Sequence, residues 1–139
     1  ATISQGVFPT NQVLLLMPVS GFSTLSILLV GQLIDLDADK KGGKHGMASR
    51  LGTFPTAVFY VLVQAAIITL VILMALTYEG SSLPLLMALL PYLLIFPRAA
   101  VRILKHHGNP EALKKVAGMT VQIHLLLSLL LIVGFIIYL

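Results

Sequence analysis

No Asp, Glu, Lys or Arg falls within residues 1–34, 51–78 or 116–139, and this constrains the chain more than any other feature. Crossing the hydrocarbon of a bilayer takes about 20 consecutive apolar residues in helical form, and each of these runs is long enough. Soluble domains carry charge on about 25% of their residues; here the fraction is 10%, with a mean hydropathy of +0.99. The expected fold is all-α, a polytopic membrane helical bundle of about four transmembrane helices, because a helix satisfies its own backbone groups in lipid. The length of 139 residues suits one domain, and the absence of cysteine excludes disulfides and thiolate metal sites.

Local signals divide the chain. Thr10 or Asn11 can cap a first helix running to about Ile34, with Pro18 and Gly21 as expected kinks. Residues 1–6 read as the tail of an earlier helix, with a break over Val7–Thr10 at Pro9. A second helix spans about 53–77, with Thr53 as a possible cap and Pro55 tolerated in its first turn. A hydrophilic turn over Tyr78–Ser82 leads to a third helix, about 83–105, interrupted by Pro84, Pro91 and Pro97. Asn109-Pro110-Glu111 places a cap, a first-turn proline and an acid in order, opening a fourth helix over 110–139. The connections are 35–52 and 106–109.

All nine Lys and Arg residues lie in two segments, 35–50 and 98–115, which two spans separate and which therefore share one side. The positive-inside rule makes that side cytoplasmic. The net charge of +4 then has a topological explanation, and no nucleic-acid partner is expected. Residues 1–34 also lack the positive n-region of a secretory signal peptide, so the chain reads as starting within a longer protein.

Residues 35–50 hold Asp35, Asp37 and Asp39 with four of the cations. An acid costs about 2.5–3.5 kcal/mol at the centre of a membrane helix on insertion scales, so this segment belongs at a membrane edge or beside a wet cavity. Asp35 and Asp39 share a helical face, whereas Asp37 points nearly opposite. Two carboxylates one turn apart suit Mg²⁺, which takes one or two carboxylates, several waters and phosphate oxygens. Gly42, Gly43 and Lys44 then offer a backbone and a cation that can approach an anion. Asp37, Lys40 and Lys41 read instead as a solvated loop.

The run LIDLDADKKGGKHGMASRLG resembles the second aspartate-rich motif of the UbiA-type intramembrane prenyltransferases, D-x-x-x-D-x-x-x-G-K-x-T-x-A-x-R-x-G, and most closely the 1,4-dihydroxy-2-naphthoate polyprenyltransferase branch. Asp35, Asp39, Gly43, Lys44, Ala48, Arg50 and Gly52 fall on motif positions. The segment NPEALKKVAGMTVQIHLLLSLLLIVG is also similar to the family's closing helix. Gly46 replaces the usual Thr, and Gly31 stands where relatives often carry Asn or Tyr, differences that bear on the acceptor more than on the metal.

The resemblance implies half of a bundle of about nine helices, with a first aspartate motif supplied by an N-terminal half that either lies outside these 139 residues or is carried by another chain. It implies Mg²⁺ held by Asp35 and Asp39, with Lys44 and Arg50 as diphosphate-binding or motif-ordering cations. The implied reaction moves a polyprenyl group from an isoprenoid diphosphate to an aromatic or lipid acceptor, as in quinone biosynthesis. The competing reading is a four-helix membrane subunit or divalent-cation carrier without catalysis.

Other polar residues read as structural. His124 and Gln122 lie within the last span, and His124 suits an interhelical hydrogen bond. Arg98 and Arg102, four residues apart, could meet phosphate but read as interfacial anchors. His106 and His107 lack acidic or Cys partners at metal-ligand spacing and read as a solvated loop.

Overall fold

A computed structural model describes residues 11–77 and 82–138. The expected stub at 1–6, the break over residues 7–10 and most of the turn after Thr77 lie outside these residues. Four segments, Leu14–Ile34, Thr53–Thr77, Leu83–Lys105 and Pro110–Gly134, are long and apolar enough to cross a membrane, and among the described residues there is no strand. The chain forms an all-α bundle.

The first span is α1 (Asn11–Ile34), which continues unbroken through Pro18 and Gly21. The connection expected as a loop folds into two short helices, α2 (Leu36–Lys41) and α3 (Met47–Leu51). Charged residues dominate α2, so no periodicity announces it. The second span is α4 (Thr53–Thr77). Thr53 does not cap it: Gly52, at φ +94°, makes the junction with α3, and the Thr56 N–H and hydroxyl both donate to the Gly52 carbonyl.

The third span is divided into α5 (Leu83–Met87), α6 (Leu90–Leu94) and α7 (Phe96–Lys105). Pro84, Pro91 and Pro97 each occupy the second position of a segment. A proline lacks an N–H and clashes with the carbonyl four residues earlier, so each is accommodated only where a segment begins. The fourth span is α8 (Pro110–Tyr138), and the Asn109 side chain caps it by accepting from the Ala112 N–H at 3.2 Å.

α1 packs along α4 and α8, α7 lies on α8, and α5 wedges between α4 and α8. One cluster of the core gathers Ile67, Met74, Leu85 and Leu127; the other gathers Leu29, Tyr60, Ile103 and Leu113 around the charged end. The outer faces stay apolar, with Leu76 at 76% exposure and Leu93 and Ile136 at 72%, as lipid-facing residues require. Hydroxyls on that surface, such as Thr24 and Thr69, donate to their own helix's carbonyls four residues back.

Candidate functional site

Asp35 sits where α1 gives way to α2. Its N–H still donates to the Gly31 carbonyl at 2.9 Å, and its carbonyl accepts the Asp39 N–H at 2.8 Å. The two acids thus stand on consecutive turns of nearly continuous helix. Asp35 is exposed, while the Asp39 side chain retains 24% exposure. Asp37, Lys40 and Lys41 are exposed beside them.

The chain then reverses at Gly43, whose φ of +71° is a conformation glycine adopts at no steric cost. This turn returns Lys44 toward the acids: its N–H donates to the Asp39 carbonyl at 2.9 Å, and its Nζ lies 3.8 Å from Asp39 Oδ1. At that separation, and with Lys44 77% exposed, the ion pair is loose and contributes about 1 kcal/mol at most. Arg50 bridges the same connection, its Nε donating to the His45 carbonyl at 3.0 Å. That contact makes Arg50 an organiser of the turn as well as a cation.

Gln32 was not singled out in the sequence, yet it fastens the connection. Its Oε1 accepts the Met47 N–H at 2.8 Å, tying the start of α3 to the last turns of α1. Gly46 permits this, since a Cβ there would stand 2.8 Å from the same oxygen. Glycine at position 46 therefore has a local physical reason. Buried Ala48 pins the other side of α3 to the core. The only available signal was a lone amide near the end of an apolar run.

His107 also differs from the expected solvated residue. It is partly buried, its Nδ1 hydrogen-bonds Thr53 Oγ1 at 2.8 Å, and its ring meets Phe54 edge-on at 5.5 Å. This contact joins the α3–α4 junction to the α7–α8 turn and brings both cation-bearing segments to one end of the bundle.

Within the spans, polar side chains satisfy one another. Tyr92 donates to Gln64 Oε1, Gln64 Nε2 donates to the Tyr60 oxygen, and Tyr60 pairs with Thr120 at 2.8 Å. Thr120 donates its own proton to the Val116 carbonyl. Tyr60 must therefore be the donor to Thr120, so a single directed chain uses each hydroxyl proton once. His124 pairs with Ser23 across α8 and α1, as expected of a structural histidine, and borders a cavity of about 200 Å³.

Among the described residues no group of three or more His, Asp or Glu side chains is placed to hold a metal. A hard divalent ion at Asp35 and Asp39 would complete its shell with water, phosphate or another segment, which matches the preference of Mg²⁺. The chain matches no family model, no curated protein and no solved structure.

Proposed function

We propose that this chain contributes part of the active site of a Mg²⁺-dependent intramembrane prenyltransferase. The observation that carries the reading is the pair Asp35 and Asp39 on successive turns at the end of a membrane-length helix, followed by the Gly43 reversal that brings back Lys44. That donor set fits Mg²⁺ bearing a diphosphate, and the UbiA-like motif supports the same assignment.

In this reading Asp35 and Asp39 hold the metal, and Lys44 lies beside them as a mobile cation for the diphosphate. Arg50 orders the turn and adds positive potential. When bound, Mg²⁺ supplies Lewis-acid neutralisation of the leaving group. The allylic C–O bond of the isoprenoid diphosphate breaks with its electron pair leaving on pyrophosphate. A bond to an aromatic or lipid acceptor forms, and the acceptor loses a proton. The apolar helices exclude water from the reacting carbon. A second acidic motif, from an N-terminal half of the enzyme, would face this one. All nine cations lie in the two segments that meet at this end, so we assign it to the cytoplasmic side.

The test is Mg²⁺-dependent transfer from a radiolabelled isoprenoid diphosphate in membranes carrying the intact protein. Asp35→Ala and Asp39→Ala should each abolish it, with Asp37→Asn close to wild type. Full transfer by both alanine variants would end the assignment. Ion flux without any diphosphate would favour the carrier.

A further inference from the structure

We propose that the charged end carries a second site, a groove between α7 and the start of α8 that holds the phosphate headgroup of one anionic phospholipid. This site is independent of the metal assignment at Asp35 and Asp39. Two adjoining cavities, of about 540 and 440 Å³, share Arg102 and His106. The first extends over Arg98, Lys105 and Met119, and the second over Lys115 and Glu111.

The charge is one-sided. Glu111, the sole acid lining the groove, is engaged by Lys114 at 2.6 Å. Among the described residues no carboxylate pairs with Arg98, Arg102, Lys105 or Lys115. Arg98 spends one Nη1 donor on the Leu94 carbonyl at 2.8 Å, which fixes the guanidinium against the turn before Pro97.

The groove also runs inward from the charged end along α7 and α8. Lys105, His106 and Lys115 are near the helix ends and Arg102 lies about one turn further in, whereas Pro97, Val101 and Met119 line its inner part together with Arg98. Met119 lies one helical turn, about 6 Å, beyond Lys115 toward the bundle centre. Cations concentrated toward the mouth, with Pro97, Val101 and Met119 beside Arg98 further in, match a molecule with an anionic head and an acyl tail. A free phosphate would use only the mouth. Juxtamembrane cations attract anionic headgroups, and guanidinium forks suit phosphate oxygens.

The experiment is native mass spectrometry of the protein released from nanodiscs of phosphatidylcholine and phosphatidylglycerol in equal parts. Wild type should retain phosphatidylglycerol preferentially. The double variant Arg102→Gln/Lys115→Gln should lower that preference by about twenty-five-fold, two cations at about fivefold each. Arg102→Lys, which keeps the charge, should retain most of it. The pair Lys40→Gln/Lys41→Gln removes equal charge from the same end and should leave the preference intact. Equal losses in both double variants would reduce the effect to diffuse attraction and overturn the site. Displacement of the lipid by soluble pyrophosphate, with pyrophosphate binding in pure phosphatidylcholine, would also overturn it by assigning the groove to a free anion.

Discussion

The polar residues inside the spans and those at the charged end are held in opposite ways. Tyr60, Gln64, Tyr92 and Thr120 consume one another's hydrogen-bonding capacity, and every buried side-chain polar atom among the described residues has a partner. Asp35, Asp39 and Lys44 are ordered mainly through backbone bonds, with one loose ion pair among their side chains. A closed chain of hydrogen bonds stabilises packing and leaves nothing over for a ligand. Charged groups positioned by their backbone keep their side chains available. Polarity within an apolar protein therefore points to function only where its partners are incomplete.

The largest effect should separate the two regions outright. Asp39→Ala should cost about two orders of magnitude or more in prenyl transfer, since several kcal/mol of charge neutralisation are lost. Its thermal midpoint should shift little. Gln64→Leu should do the reverse, leaving the Mg²⁺ dependence of transfer unchanged while destabilising the bundle. The loss should be about 1–3 kcal/mol, because the Tyr92 hydroxyl is left buried without its acceptor. A stability assay in lipid and a transfer assay on the same samples measure both.

Packing between α5 and α8 sharpens the contrast. A Cβ on Gly134 would lie 2.6 Å from Pro84 Cβ, and the proline ring cannot rotate away. Gly134→Ala should therefore destabilise by about 1–3 kcal/mol through overpacking, read as a lowered thermal midpoint.

The smallest effect should come from Gly46→Ala, whose new methyl meets the movable end of Gln32. Losing the Gln32–Met47 hydrogen bond should cost about 1 kcal/mol and raise the Mg²⁺ concentration needed for half-maximal transfer. The same substitution in a Gln32→Ala background should add almost nothing. Additive costs would mean that the two residues act separately.

The spans were legible because lipid tolerates so few charges that uncharged runs mark them directly. The divisions of the third span were legible at Pro84, Pro91 and Pro97, since proline chemistry is local. The acids were legible as a one-turn pair for the same reason. The helices within 35–52 were not, because α2 is exposed and charged and α3 is held by Ala48 packing and a Gln32 bond reaching across 15 positions. His107 was misread because its partners, Thr53 and Phe54, are more than fifty residues away in the chain. Contacts between distant residues leave no pattern in either local neighbourhood.

The central claim is that Asp35 and Asp39 together hold a divalent ion bearing a diphosphate. Electron paramagnetic resonance of Mn²⁺ bound in place of Mg²⁺, with an isoprenoid diphosphate and the intact protein in nanodiscs, addresses it most directly. The account predicts an immobilised Mn²⁺ signal that requires the diphosphate and disappears in both Asp35→Ala and Asp39→Ala. A signal of unchanged intensity and line width in the two variants would contradict it.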